Sequence, residues 1–259
     1  MYITIFDIFK ISIGPSSSHT MGPMVASKVF IDKVINGYDP IPGSEKPVRI
    51  KCHLYGSLAL TGKGHCTDRA ICLGLSGLTA EEINKEICLK TEKSILETKK
   101  INPYNKYSFT FNSKEDLIFN KKTYLPEHPN ALKLEAYDIK ESLCFQETFF
   151  SIGGGFIVEK SKFGKKLVSN KKVSFPYPFC NSKDLLEMSK ATNMTIAQMA
   201  YENEKSIHNK QKIDLYLNKI WKLMSDSIDC GLENDGILPG GLNLKRRAKG
   251  IYSKLINEK

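Results

Sequence analysis

The stretch Gly14-Pro15-Ser16-Ser17-Ser18-His19-Thr20-Met21-Gly22-Pro23 decides how the N-terminal part of this chain folds. Apolar residues follow it at helical spacing over residues 24–35, and Pro23 suits a first helical turn, where its missing backbone N–H costs little. We therefore expect the serines and His19 to lie at the N-terminus of a helix, where unpaired N–H groups and the helix dipole attract an anion. The alternative is a capping loop whose serines only satisfy the backbone.

Length and cysteine usage limit the class of protein. The chain of 259 residues is long enough for one large domain or two smaller ones with a sizeable core. Its seven cysteines include no Cys-x-x-Cys pair, which predicts free thiols and neither a disulfide framework nor a zinc site. No apolar run approaches the roughly 20 residues that span a bilayer, and no cleavage-like site follows the N-terminal segment. We therefore expect a cytoplasmic protein with no membrane partner.

The formal net charge of +10 raises the question of nucleic-acid binding. Only four of the 38 basic residues are arginine, and the lysines are scattered along the chain rather than interleaved with aromatic residues. This pattern favours a solvated lysine surface, so a nucleic-acid partner is not expected.

Hydrophobic periodicity predicts a mixed α/β domain over residues 1–160. The clearest strand is 48–55, in which apolar and polar residues alternate. Further strands are expected at 2–8, 106–111, 116–119, 131–138, 143–151 and 155–159. Helices are expected at 23–36, 69–75 and 78–90, the last with Thr79 as its N-cap.

The pattern changes to helices alone after a lysine-rich linker at 161–181. Good N-caps predict helices at 182–191 and 195–208, and one-sided apolar spacing predicts a helix at 213–230. A basic helix is expected at 244–256. The expected fold class is therefore α+β, with a mixed α/β domain at 1–160 followed by an all-α segment at 182–259.

Two histidines lie in similar loops. His19 and His65 both occur among Gly, Ser and Thr residues beside predicted helix starts, where side chains face a cleft more readily than a core. A histidine titrating near neutrality can abstract a proton, and a serine-lined helix start can hold a small carboxylate. The pair therefore predicts chemistry next to a carboxylate. No Gly-x-Ser-x-Gly elbow or nucleotide-binding glycine motif accompanies it.

A series of longer motifs runs in order along nearly the whole chain, at residues 14–20 with 22–24, 54–68, 128–130, 151–156, 175–179, 202–205 and 238–248. Together they resemble the iron-sulfur-dependent L-serine dehydratase (L-serine ammonia-lyase) family. The resemblance implies a β-domain joined to a helical α-domain, in agreement with the change of pattern near residue 180. It also implies conversion of L-serine to pyruvate and ammonia, with a 4Fe-4S cluster rather than pyridoxal phosphate as the cofactor.

The resemblance also assigns site residues. By position, His65 is the expected base and His19 a second catalytic residue. The serine carboxylate would be bound by Ser16, Ser17, Ser18 and Thr20, together with Asn130. In this family iron makes hydroxide a better leaving group, while carboxylate binding acidifies the α-carbon.

The chain departs from the family in two ways. Cys66 stands where the family usually has glycine, and the three cluster cysteines of the family have no counterpart, so no metal ligand is expected here. We therefore expect the β-domain with a truncated α-domain, inactive alone unless a second chain supplies the rest, and a homo-oligomer, such as a dimer, when complete. The alternative is a non-catalytic module that binds a small carboxylate such as an amino acid.

Overall fold

A computed structural model of the chain describes residues 3–14, 16–165, 174–238 and 243–257. The chain forms two compact units. One comprises Ile11–Lys165 and Gly236–Lys245, and the other comprises Met1–Lys10, Lys166–Asp235 and Arg246–Lys259. The first unit contains the sheet and the second is helical, which confirms the predicted α+β class. The domain boundaries expected from the sequence, at 1–160, 161–181 and 182–259, stay predictions. The compact units differ from these domains at the first ten residues and at 236–245.

The described residues form helices and strands of very different length. The helices are α1 (Ile5–Ile8), α2 (Gly22–Asn36), α3 (Gly56–Thr61), α4 (Thr67–Leu75), α5 (Lys85–Thr98), α6 (Ser182–Thr192), α7 (Ile196–Lys205), α8 (Lys210–Glu233) and α9 (Ala248–Asn257). The strands are β1 (Arg49–Tyr55), β2 (Lys100–Ile101), β3 (Phe109–Thr110), β4 (Leu117–Asn120), β5 (Asn130–Tyr137), β6 (Leu143–Gly153) and β7 (Phe156–Glu159).

The strands form one mixed sheet in the order β2-β3-β1-β5-β6-β7, and β4 also pairs with β1. Strands β3 and β4 run parallel to β1, whereas β5, β6 and β7 continue as an antiparallel meander. This meander confirms the strands predicted at 131–138, 143–151 and 155–159, and β3 and β4 overlap those predicted at 106–111 and 116–119. The predicted helices at 23–36, 69–75, 182–191, 195–208, 213–230 and 244–256 are also present, each with ends shifted by a few residues.

The core of the first unit lies on one face of the sheet. Ile50, Cys52 and Leu54 of β1 are fully buried, as are Phe30 and Ile31 of α2, and all belong to one apolar cluster. The period-two pattern of β1 therefore separates a core face from a polar face, as the sequence predicted. This packing fixes α2, and with it the serine segment, against the sheet.

The polar face of the sheet carries a buried carboxylate. Glu135 is 5% exposed, accepts hydrogen bonds from Tyr137 and His53, and forms an ion pair with Lys133. Burial alone would raise the pKa of Glu135, but these three partners outweigh it and lower the pKa to about 2. Glu135 is therefore an ionised structural group of the sheet.

Two predicted elements were wrong. Residues 2–8 were expected to form a strand, but residues 5–8 form helix α1 because Thr4 and Asp7 make a capping box and Glu204 accepts the N–H of Ile5. The helix predicted at 78–90 begins only at Lys85. Asn84 is its N-cap, while the Thr79 and Glu82 pair makes its capping hydrogen bonds within a separate turn.

The helical unit has a small polar-lined centre. Met199 and Ile213 are its fully buried apolar residues, and Asn203 exchanges two hydrogen bonds with the backbone of Tyr177. Of the predicted linker 161–181, residues 166–173 lie outside the described residues. Across the described ranges, no helix combines the length and apolar character needed to cross a membrane.

Gly22 sets how closely α2 approaches the sheet. A Cβ atom built on Gly22 would lie 2.0 Å from Ser151 Oγ on β6. We expect Gly22→Ala to lower the free energy of unfolding by about 1–3 kcal/mol, because the side chain of Ser151 or the start of α2 must shift. The matched control is Gly231→Ala in α8, where a Cβ meets nothing within 4 Å. This second change should stabilise its helix by up to about 1 kcal/mol in urea unfolding.

Candidate active site

The serine segment forms the first turns of a continuous helical stretch. Residues Ser17–Met21 adopt a single π-helical turn that leads directly into α2, and Ser16 is its N-cap, with Oγ accepting the N–H of His19 at 3.1 Å. The N–H groups of Ser17 and Ser18 meet no acceptor among the described residues. The predicted helix N-terminus is therefore present, and a helix N-terminus of this kind attracts an anion.

His19 lies between two serine hydroxyls. Its Nδ1 is 2.9 Å from Ser18 Oγ, and its Nε2 is 2.8 Å from Ser57 Oγ at the start of α3. A neutral imidazole has one donor and one acceptor nitrogen, so one of these hydroxyls accepts from the ring and the other donates to it. Burial, and secondarily the charge of His65, lowers the pKa of His19 from its ordinary value of 6.5. The environment thus favours the neutral form of His19.

His65 occupies the turn between α3 and α4. Its Nδ1 lies 3.0 Å from the carbonyl oxygen of Thr61, the last residue of α3. A carbonyl oxygen only accepts hydrogen bonds, so in the neutral ring Nδ1 carries the proton and Nε2 carries the lone pair. The His65 and His19 rings are tilted by 39°, with centroids 4.8 Å apart. The two predicted catalytic histidines therefore share one site, and one of them presents an unprotonated nitrogen.

Asn130 reaches the same site through Ser151. The side chain of Asn130 donates to the Ser151 carbonyl at 3.3 Å, and Ser151 Oγ donates to the Ser18 carbonyl at 2.7 Å. The backbone of Asn130 also forms an antiparallel β-bridge with Gly56. Gly56 has a positive φ of 54° and lies close to the Pro129 carbonyl, so there is no room for a side chain at this position. Asn130 thus lies next to the serine segment and the start of α3.

The predicted site residues differ in how they are presented. Ser17 is exposed, Ser16, Ser18, His19, His65 and Asn130 are half-buried, and Thr20 is buried with its hydroxyl donating to the His65 carbonyl. Sequence reasoning missed three hydroxyl residues that hold the histidines and the serine segment in place: Ser57, Thr67 and Ser151. All three stand inside motifs already quoted from the sequence. Each of them lies one or two positions from a loop histidine or from a glycine, and the sequence offered that proximity as a signal.

The cysteines do not form a cluster site. Cys52, Cys72, Cys88 and Cys144 are buried and Cys66 is half-buried, whereas Cys180 and Cys230 are exposed in the helical unit. Burial raises the pKa of the Cys72 thiol to about 12, which opposes the thiolate that a metal would bind. In the part of the chain that the structure describes, no three His, Cys, Asp or Glu side chains converge as metal ligands. These residues therefore do not fit a 4Fe-4S cluster.

The sequence of the chain matches one protein family and several known proteins. The family model described as the serine dehydratase beta chain matches residues 4–162. The chain is 36% identical over 255 residues to an L-serine dehydratase of Haemophilus influenzae, covering 98% of this chain and 54% of that protein. It is 34% identical over 258 residues to an L-serine dehydratase of Streptomyces coelicolor, covering 100% and 56%. It is also 38% identical over 260 residues to L-serine dehydratase TdcG of Escherichia coli, covering 98% and 55%. The chain therefore spans about half the length of the curated relatives it matches.

Cys66 adopts a backbone conformation that favours glycine. It has φ 55° and ψ 35°, in the left-handed region, immediately after His65. We expect Cys66→Gly to raise the free energy of unfolding by up to about 1 kcal/mol while keeping the His65 turn. Cys66→Ala, which keeps the Cβ, is the control and should bring no such gain in urea unfolding. A loss of stability with glycine would show that contacts of the thiol outweigh the backbone strain.

The lowered pKa of His19 predicts a pH effect on stability. A histidine whose pKa is lower in the folded state contributes stability that is present above the unfolded value of 6.5 and is lost as pH falls through the folded pKa. The thermal midpoint of the wild type should therefore drop between about pH 7 and pH 5 by more than that of His19→Gln. Equal drops in the two proteins would contradict the assignment.

Proposed function

The chain belongs to the serine dehydratase beta chain family, and we propose that it supplies the substrate-binding and proton-abstracting part of an L-serine ammonia-lyase. The reaction is an α,β-elimination that converts L-serine to pyruvate and ammonia. The observation that carries the proposal is the unprotonated Nε2 of His65, set beside the His19 ring and the serine-lined start of α2. A base and an anion-binding helix terminus are the two protein groups that removal of a proton next to a carboxylate requires.

The serine segment would bind the carboxylate. The N–H groups of Ser17 and Ser18 and the positive end of the helix dipole favour an anion at this position, and the hydroxyls of Ser16, Ser17 and Ser18 add short-range donors. Asn130 would complete the pocket from the start of β5. Charge withdrawn from the carboxylate by these donors makes the α-proton more acidic.

His65 would take the α-proton on Nε2. Its Nδ1–H bond to the Thr61 carbonyl fixes the tautomer and supports the positive charge that the ring gains. A neutral His19 suits this step, because two adjacent imidazolium ions would repel each other. The role of His19 is then to orient the Ser18 and Ser57 hydroxyls at the edge of the pocket.

The remaining steps of the reaction need residues other than the ones to which a role was given above. Because the cysteines of this chain do not fit a 4Fe-4S cluster, we propose that ligands for a cluster come from the part of the relatives that has no counterpart here. No step of the proposed mechanism runs through a cluster on this chain. The free thiols of all seven cysteines favour the cytoplasmic location that the sequence predicts.

The helical unit carries exposed apolar residues on α8 and α9. Among the apolar residues of α8, Leu215, Trp221 and Ile228 are 64%, 68% and 58% exposed, and the apolar residues of α9 are exposed as well. Exposed apolar faces of this extent mark interaction surfaces. We propose that a second chain, similar to the remaining half of the relatives, covers this surface, and that the complete protein is a homo-oligomer.

Two measurements on the full chain test the proposal. Amide NMR titration with L-serine should shift residues 16–20 and the His65 turn, and 3-hydroxypropionate, which keeps the carboxylate, should shift residues 16–20. After anaerobic iron-sulfur reconstitution, pyruvate should form from L-serine only when a chain matching the remaining half of the relatives is added. His65→Gln should lower this turnover by about 100-fold or more without abolishing L-serine binding.

Ethanolamine is the negative control, because it keeps the ammonium and hydroxyl groups of serine but lacks the carboxylate. Equal shifts from ethanolamine would contradict the carboxylate assignment, and pyruvate formation by the isolated chain would contradict its dependence on a second chain. Serine binding without turnover in the reconstituted mixture would instead support the non-catalytic carboxylate-binding module.

A further inference from the structure

The segments that carry His19 and His65 are joined by two crossed hydrogen bonds. The hydroxyl of Thr20, the neighbour of His19, donates to the His65 carbonyl at 2.8 Å. The hydroxyl of Thr67, two residues after His65, donates to the His19 carbonyl. Each histidine-bearing segment therefore donates one hydrogen bond to the other segment and accepts one from it.

Both hydroxyls are committed to these bonds. Thr20 is 1% exposed and Thr67 is fully buried, so neither side chain reaches solvent or a ligand at the helix mouth. Thr20 is also packed against the backbone of Gly14, where a Cβ would lie 2.4 Å from its methyl group. A buried hydroxyl that left its carbonyl partner would leave both polar groups unpaired, which is unfavourable. The bonds therefore hold the two segments in one relative position.

From this geometry we propose that Thr20 and Thr67 are positioning residues, whose crossed hydrogen bonds set the separation of the His19 and His65 rings. Two bonds of opposite direction between the same pair of segments oppose both sliding and rotation, which a single bond does not. The 4.8 Å centroid distance is the result. This role differs from the carboxylate contact expected of Thr20 from the sequence, and it deepens the proposed function because the two rings are its proposed catalytic groups.

The proposal distinguishes positioning from general support of the fold. If the crossed bonds set the ring separation, the electrostatic coupling between the rings depends on them, since coupling falls as charges move apart. The charge of His65 is one cause of the lowered pKa of His19, so the coupling is measurable as the change in the His19 pKa when His65 is replaced. This readout requires neither serine nor turnover.

Imidazole NMR titration of the full chain tests the proposal. In the wild-type background, His65→Gln should raise the pKa of His19 because it removes a like charge. In the Thr67→Val and Thr20→Val backgrounds, the same replacement should raise it by about half as much or less, because the rings are no longer held together. Thr67→Ser and Thr20→Ser keep the hydroxyl and should restore the wild-type increase.

Thr98→Val is the matched control, because the Thr98 hydroxyl also donates to a helix carbonyl, in α5 and away from the site. It should leave the increase unchanged. An undiminished increase in folded Thr67→Val or Thr20→Val would overturn the proposal, with amide spectra reporting whether the variant is folded. If a valine variant does not fold, a serine variant that folds but loses the coupling also overturns it. Failure of the chain to bind L-serine would contradict the proposed function and leave this result intact.

Discussion

The site depends on how Ser151 joins the sheet to the serine segment. Its hydroxyl donates to the Ser18 carbonyl, its carbonyl accepts from Asn130, and its side chain lies where any residue larger than glycine at position 22 would collide. Because Ser151 is on β6, where it pairs with Ile157 of β7, the start of α2 is attached to the antiparallel part of the sheet. The serine segment, which we propose binds the carboxylate, is therefore held against the sheet.

A second constraint is the partial burial of His19 beside the His65 ring. Burial, and secondarily the charge of His65, lowers the pKa of His19 and so disfavours its charged form. His19 is therefore suited to stay neutral beside a base. Such a pair suits a step in which a single proton is taken from a bound substrate and later released.

The sequence predicted much of the fold because several signals were local. The alternation in β1, the Thr195 cap of α7 and the one-sided apolar spacing of α8 each depend on neighbouring residues, and each element was found. The strand expected at 2–8 failed because β-type composition was outweighed by the capping box at Thr4 and by a distant carboxylate, Glu204. That contact joins residues about two hundred positions apart, which no local pattern reports.

The proximity of the candidate site residues was predictable from the sequence, but the bonds among them were not. His19, His65 and the serines follow from loop composition and family motifs, whereas the contacts of Ser57, Thr67 and Ser151 depend on three-dimensional packing. The central claim is that His65 offers a free Nε2. The most direct measurement is the ¹⁵N NMR spectrum of the His65 imidazole in its neutral form. We expect a protonated Nδ1 and an unprotonated Nε2, whereas a proton on Nε2 would contradict the account.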